Sequence, residues 1–285
     1  MFEELKGLGQ LTSSFRMAGP HTSMNTTNSW TRRMLRKARL LTAALGIGWN
    51  LVIAGGLPAS AEPRVVAEGD GITVYEHAIK RADGGTGMLL IARLDPRRMM
   101  ISVVEGNEAP PAAVPWSVTV NASYFNEAGT PVYHLREGSR VFAPFRKGAN
   151  GVFWCRDGRC AIQHSSDFAP NQPYDLAVQS SPRLLEKGRP TKGVRGTDVV
   201  DGRAGLAIAA DGALFVFATT PVKWGGLSFD DVREILTEYF QSQSILMLDG
   251  GNSARLRIRT DKQTFTNGLF SREVPYSIRF TAAEN

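Results

Sequence analysis

The sequence predicts an α+β fold: a single mixed or antiparallel β-rich domain with a few packed helices, preceded by a signal peptide. Three observations predict it. Short runs rich in β-branched and apolar residues recur between Gly, Pro and Asp turns. The dipeptides Asp157-Gly158 and Asp211-Gly212 separate such runs, as two-residue hairpin turns do. One segment, SFDDVREILTEYFQS at 228–242, carries apolar residues at helical spacing instead.

The chain begins with a different pattern. Residues 31–39, TRRMLRKAR, are basic, residues 40–57 are apolar, and Pro58 leads into Ala59-Ser60-Ala61. Basic, apolar and small-residue regions in that order describe a secretory signal cleaved before Glu62. The competing reading is an uncleaved membrane anchor, which needs about 20 apolar residues; this run is interrupted by Asn50 and several glycines. Arg32-Arg33 after Thr31 is compatible with twin-arginine export, and Met24 and Met34 are alternative starts. Residues 1–61 are therefore read as an N-terminal extension and signal peptide, and 62–285 as one domain, periplasmic or secreted after cleavage. A membrane enters only through the export signal.

The formal charge of +6 follows that division. Seven of the 33 Lys/Arg and two of the 27 Asp/Glu fall in residues 1–61, so 26 basic and 25 acidic residues remain and the mature charge is +1. The basic balance is a targeting property. No basic stripe or RNA-binding signature remains in the mature part, so no nucleic-acid partner is expected.

Within 62–285 the expected strands are, in order, 71–77, 87–95, 99–106, 116–125, the hairpin 151–164, 175–180, the hairpin 205–220, 244–251, 254–260 and 276–282. Residues 105–115, with three prolines, are an excursion and not a boundary. In FWCRDGRCAI the Asp157-Gly158 turn sets Arg156 opposite Arg159 and Cys155 opposite Cys160. That next pair is of the non-hydrogen-bonded kind, with Cα atoms about 4.5 Å apart, which a disulfide accepts. A Cys155–Cys160 disulfide in an oxidising compartment is predicted. A zinc site would need a second ligand pair to complete four-coordination. In the helix, Ser228 is placed to cap with Asp231 at the third position, and Phe229, Val232, Ile235, Leu236, Tyr239 and Phe240 form one stripe.

Three stretches carry chemistry. In LMLDGGNS, 246–253, an apolar strand ends in Asp249 and the pair Gly250-Gly251, followed by Asn252 and Ser253. Loops and ligands gather at strand ends, and glycines let backbone N–H groups approach an anion or a sugar; equally, an Asp there can merely end a strand by accepting turn N–H bonds. In VTVNASYFN, Asn121 offers a donor and an acceptor to sugar hydroxyls, and Tyr124 and Phe125 offer rings to a pyranose face; equally, the aromatics can be core and Asn121 a turn residue. Arg203 before the 205–209 strand can clamp a phosphate bidentately, although most arginines simply solvate a surface.

The order of these blocks resembles the phosphodiester glycosidase family. The resemblance rests on Asn121-Ala-Ser-Tyr-Phe125, Asn150-Gly-Val-Phe153, Ala177-Val-Gln-Ser-Ser-Pro182 with Gly188, Arg203-Ala-Gly205 with Asp211-Gly212, and Leu248-Asp-Gly-Gly-Asn-Ser253. It spans roughly residues 70–280. It implies hydrolysis of a sugar 1-phosphodiester, as in the animal member that removes N-acetylglucosamine from capped mannose 6-phosphate. It also implies Asp249 as an active-site carboxylate, Arg203 and Asn121 as further catalytic residues, Gly250, Gly251 and Ser253 at the pocket floor, and Tyr124, Gln179 and Asn252 as substrate contacts. Ser181 stands where the family has Gly, Ala122-Ser123 where it tends to glycine, and Ala204 where it often has Thr or Asn, which bears on substrate identity.

Chemistry makes such a set sensible. The leaving group of a sugar 1-phosphodiester is a phosphate monoester, which departs as an anion and needs charge stabilisation more than a proton. An arginine then replaces one of the two carboxylates of ordinary glycosidases. Asp249 is expected as base or nucleophile and Arg203 as phosphate holder, with Lys223 and Arg195 as candidate extra phosphate contacts. No cofactor is implied, and the metal is unknown; a Ca²⁺ or Mg²⁺ ion beside Asp249 would suit oxygen ligands. Two rivals are weighed: a glycan-binding envelope protein without turnover, and a serine hydrolase using Ser253, which lacks a G-x-S-x-G elbow and would need His77, His134 or His164 as base.

Overall fold

A computed structural model describes residues 62–106, 108–109, 111–220, 225–268 and 272–283. The expected signal peptide, its cleavage site and Lys223 lie outside the described residues. The chain parts into two units, 1–56 and 57–285, and every described residue belongs to the second.

Strands are numbered in chain order. An eight-stranded sheet runs β1 (Arg64–Gly69), β2 (Ile72–Lys80), β3 (Thr86–Leu94), β14 (Leu214–Thr219), β13 (Ala204–Ala209), β15 (Ser242–Met247), β11 (Arg183–Glu186), β12 (Arg189–Pro190). A five-stranded sheet runs β7 (Arg140–Ala143), β6 (Leu135–Glu137), β10 (Leu176–Ser180), β8 (Gly151–Arg156), β9 (Arg159–His164). Another runs β17 (Thr264–Thr266), β16 (Leu256–Arg259), β5 (Ser117–Asn121), β18 (Tyr276–Ala282), β4 (Met99–Glu105). The ladders are antiparallel throughout the described residues.

The architecture is thus mostly β, which corrects the α+β expectation. Of the few packed helices expected, the described residues contain one α-helix, α1 (Phe229–Glu238), and otherwise single 3₁₀ turns such as 96–98 and 251–253. The physical reason lies in the connections: antiparallel neighbours need only short turns, whereas the crossovers that carry helices belong to parallel pairs. The helix itself begins as its sequence predicts. Ser228 Oγ accepts from the Asp231 N–H at 3.1 Å, and the Asp231 carboxylate accepts from the Ser228 N–H at 3.0 Å.

Burial explains which strands alternate and which do not. One core lies among the three sheets, built by Ile72, Leu90, Leu206, Val216 and Leu246 against Val118, Val120, Ile278 and Phe280 and against Phe153, Leu176 and Val178. The opposite face of the eight-stranded sheet is covered by α1 through Val232, Ile235 and Leu236, against Ile91, Ala207, Phe217, Ile245 and Met247. Central strands buried on both faces cannot alternate with polar residues, hence the unbroken runs of β13 and β14 and of the second half of β15, Ile245–Met247. The predicted hairpin is present: Arg156 faces Arg159 and Cys155 faces Cys160, with Asp157 and Gly158 at positive φ. Cys155 and Cys160 are disulfide-bonded, with Cα atoms 4.1 Å apart.

Candidate functional site

Strand register brings the first two candidates together. In the β13–β15 ladder Gly205 faces Met247 and Leu206 faces Leu246. The Leu248 N–H donates to the Ala204 carbonyl at 2.8 Å, so the ladder continues beyond the strand ends. The same register sets Arg203 opposite Asp249, and residues directly opposite share a face of the sheet. On the other side of Arg203 lies Thr219, whose N–H donates to the Arg203 carbonyl at 2.7 Å and whose Oγ1 accepts from the Arg203 N–H at 2.8 Å.

The glycines after Asp249 answer to close packing. The Gly251 N–H donates to the Gly202 carbonyl at 2.8 Å. A Cβ on Gly250 would lie 2.9 Å from that same carbonyl oxygen, and Gly251 adopts φ +57°. Backbone therefore meets backbone at the end of β15, which side chains would prevent. The turn presents the Asp249 carboxylate, whose Oδ1 accepts from the Gly250 N–H at 3.0 Å and which is also hydrogen-bonded by Ser253. Burial pushes the Asp249 carboxyl above its usual range, opposed by Ser253, Gly250 and the positive charge of Arg272.

Tyr124 joins the two charges. Its hydroxyl donates to the Ser181 carbonyl at 2.6 Å, and its ring meets Tyr133 edge-on at 6.0 Å. Burial pushes the phenol up to about 12; the negative charge of Asp249 adds to this and the positive charge of Arg203 opposes it. The phenol thus stands where the fields of both residues act.

Arg203 is held in a way its sequence position does not announce. It is 9% exposed. Its Nε donates to the Leu227 carbonyl at 3.1 Å and its Nη2 to the Val199 carbonyl at 2.5 Å, while the guanidinium lies 3.8 Å over the Phe229 ring at the start of α1. Burial pulls its pKa down, opposed by Asp201 and Tyr124. Two of the five guanidinium N–H groups are therefore spent on backbone carbonyls, and three remain, two on Nη1 and one on Nη2, on a rigid mount.

Two expected site residues are structural in their contacts. Asn121 is 1% exposed; its Nδ2 donates to the Asp249 and Ala122 carbonyls at 2.8 and 3.0 Å, and its Oδ1 accepts from the Arg255 N–H at 3.0 Å. Gln179 is fully enclosed; its Oε1 accepts from the His134 and Arg146 N–H groups, each at 3.3 Å, and its Nε2 donates to the Arg146 and Ala149 carbonyls at 2.6 and 3.1 Å. The Gln179 amide has no hydrogen or lone pair left for a sugar hydroxyl, and the Asn121 amide keeps one lone pair on Oδ1 in a position that is 1% exposed. Asn121 instead anchors the backbone of Asp249. Asn252 is exposed, and its carbonyl accepts from the Arg272 N–H at 2.7 Å. Arg195 is exposed in the 193–200 segment. Ser253 bonds Asp249, whereas the histidines lie among other neighbours: His77 against Tyr239, His134 against Phe145 and Phe168, and His164 beside Ser166.

Sequence reasoning missed Arg272, whose guanidinium lies 5.2 Å from the Phe125 ring, Asp201, whose carboxylate acts on Arg203, and Asn267. The Asn267 amide donates to the Thr219 and Ala254 carbonyls at 2.7 and 2.9 Å and accepts from the Leu256 N–H at 2.7 Å, tying the Asp249 turn to β14. Arg272 and Asn267 lie in a segment without periodicity; only the Asp201-Gly202 pair beside Arg203 offered a signal. Among the described residues no group of three or more His, Cys, Asp or Glu is placed to hold a metal ion. A hard cation takes six or more oxygens, and Asp249 Oδ1 already faces an N–H donor, so these residues do not by themselves fit Ca²⁺ or Mg²⁺. No helix among the described residues is long and apolar enough to cross a membrane.

Comparison with known proteins matches this frame. A crystal structure of a hypothetical protein from Synechocystis superposes with a TM-score of 0.58 at 13% identity, over 79% of this chain and 64% of that one, so the chain spans less than two thirds of that protein. The zebrafish N-acetylglucosamine-1-phosphodiester alpha-N-acetylglucosaminidase catalytic domain, auto-inhibited by its pro-peptide, superposes with a TM-score of 0.59 at 15% identity, over 80% of this chain and 89% of that one. At these identities the likeness is one of fold. No curated protein sequence matches. The family model for phosphodiester glycosidase matches residues 116–281, more than half of the chain and the stretch that holds Asp249, Arg203 and Tyr124; the chain belongs to the phosphodiester glycosidase family.

Proposed function

We propose that this chain is an exported hydrolase that cleaves a sugar 1-phosphodiester in envelope or extracellular glycans. The observation that supports the reading is the register that sets a half-buried carboxylate opposite a buried guanidinium, with one phenol near enough to feel both charges. Asp249 acts at the anomeric carbon, as base on water or as nucleophile. In either case the bond from C1 to the phosphate oxygen breaks and its electron pair leaves with the phosphate monoester. A carboxyl raised by burial suits proton transfer near neutral pH better than an ordinary one. Nη1 of Arg203 stabilises the departing phosphate, with Arg272 supplying a second positive charge on the side of Asp249. Tyr124 borders the sugar, and Asn121 positions Asp249 through its carbonyl. Export is supported by the N-terminal pattern and the disulfide.

The test is release of free sugar from an N-acetylglucosamine phosphodiester or a related envelope glycan by the purified chain. Asp249→Asn is expected to abolish it with the fold intact. Turnover equal to wild type in that variant refutes the role of Asp249.

A further inference from the structure

A second basic site lies beside the first, and nothing in the mechanism above uses it. A cavity of about 750 Å³ is lined by Asn150, His164, Arg183, Glu186, Lys187 and the run from Arg189 to Lys192. Its rim is the β11–β12 hairpin, which turns through Lys187 and Gly188 at φ 49° and 73°, with Glu186 opposite Arg189. A positive φ at a lysine is uncommon. It holds Lys187 at the turn, while the exposed Arg189 and Lys192 border the same cavity.

The wall of this cavity is built and not merely decorated. Arg183 is 3% exposed, with Nη1 3.0 Å from Glu186 and Nε without a hydrogen-bond partner. Thr191 Oγ1, on the same wall, is likewise buried without a partner. Both residues line the cavity, but these two atoms are closed off from its space, so what the cavity offers an anion is the charge of Arg183, Lys187, Arg189 and Lys192. The positive field is evident on Glu186, whose carboxyl is held below its usual range by Arg183 first, then by Lys187 and His164. Four cationic side chains against one carboxylate leave an anion-attracting cavity in a domain whose mature charge is otherwise nearly balanced.

The cavity adjoins the candidate active site through a short chain of contacts. Asn150, in its wall, accepts at Oδ1 from the Ser181 hydroxyl at 3.3 Å, and the Ser181 carbonyl accepts from the Tyr124 hydroxyl at 2.6 Å. Tyr124 is the residue on which Asp249 and Arg203 both act. We propose that this cavity binds a further phosphate of the substrate, one repeat away from the scissile bond, so that the substrate class is a polymer of phosphodiester-linked sugars and not an isolated sugar phosphodiester. The proposal rests on the catalytic reading above, but its binding step does not need turnover.

The full chain carrying Lys187→Gln, Arg189→Gln and Lys192→Gln tests it, with inorganic tripolyphosphate as probe in calorimetry at low salt and a neutral dextran oligosaccharide as control. Wild type is expected to bind tripolyphosphate with an affinity that falls as salt rises, and not to bind dextran. The triple variant is expected to bind roughly tenfold more weakly, because it loses three exposed charges. Asp249→Asn is expected to leave this binding unchanged, so that loss of catalysis and loss of the anion site are separate results. In kinetics, the triple variant should raise KM for a substrate of several phosphodiester repeats while leaving kcat/KM for a single-repeat substrate as in wild type. Tripolyphosphate binding within twofold of wild type in the triple variant overturns the proposal. So does binding lost in Asp249→Asn but kept in the triple variant, or equal KM changes for both substrate lengths.

Discussion

The end of β15 and the end of β10 each place a polar side chain after a run of apolar residues, and the molecule treats the two in opposite ways. At β15 the Asp249 carboxylate is held by one N–H of its own turn and by Ser253, is half-buried, and is pushed up by that burial. At β10 the Gln179 amide is enclosed and engaged on all sides by the backbone of residues 134–149. Chemistry needs lone pairs that the fold has not already used. Asp249 keeps some; Gln179 keeps none, and instead holds the loop that leads to Asn150.

The comparison can be broken in several ways. The largest expected effect is Asp249→Asn, a loss of about a thousandfold or more in kcat/KM with the unfolding midpoint preserved; single-turnover sugar release measures it. Gln179→Leu is expected to do the reverse. It leaves four backbone groups at 134–149 without partners and should destabilise the domain by about 3 kcal/mol, read by denaturant unfolding, with the folded fraction keeping its KM. A Gln179 variant that unfolds normally but loses substrate affinity would erase the distinction. Arg203→Lys comes next: an ammonium cannot reproduce the planar contacts to Leu227, Val199 and Phe229, and a fall of roughly 10- to 100-fold in kcat/KM is expected.

Two smaller effects sharpen the contrast. Replacing Cys155 and Cys160 by serine removes a short loop closure worth about 2 kcal/mol and should leave kcat untouched. The last concerns pH. Because burial raises Asp249 in the folded state, its contribution to stability is complete below the ordinary carboxylate value of 3.8 and is lost as pH rises through the folded value. Asp249→Asn should therefore gain stability relative to wild type on going from acid to neutral pH, and the wild-type rate should show an acid limb displaced above that of an ordinary Asp. Denaturation curves and a pH–rate profile check the two together.

Much of the scaffold was legible in the residues. β-branched runs marked the strands, Asp157-Gly158 marked the disulfide hairpin with its partners in register, and Ser228 with Asp231 marked the start of α1. Short strands such as β6, β7 and β17 were not legible, because three or four residues carry too little periodicity to stand out. The Lys187-Gly188 turn was missed for a related reason: a lysine at positive φ is not a turn signal, and only its pairing context holds it there. The helix content was overestimated because nothing local in the chain announces that each neighbour will be antiparallel.

At the site, the types and order of residues named Asp249, Arg203 and Tyr124 as candidates, since a carboxylate, a guanidinium and a phenol at apolar strand ends can be picked out from the residues and the family pattern. Which of those side chains would face a substrate was a different matter. Asn121 and Gln179 look as suitable as Asp249 in one dimension, yet their hydrogen bonds reach residues 128 positions away in one case and 45 in the other. Arg272 and the cationic cavity beside Asn150 likewise arise from segments distant in sequence. Propensity and pattern act over a few neighbouring residues, whereas the availability of a lone pair or a charge depends on every atom packed around it, and that is decided only when distant strands close on one another.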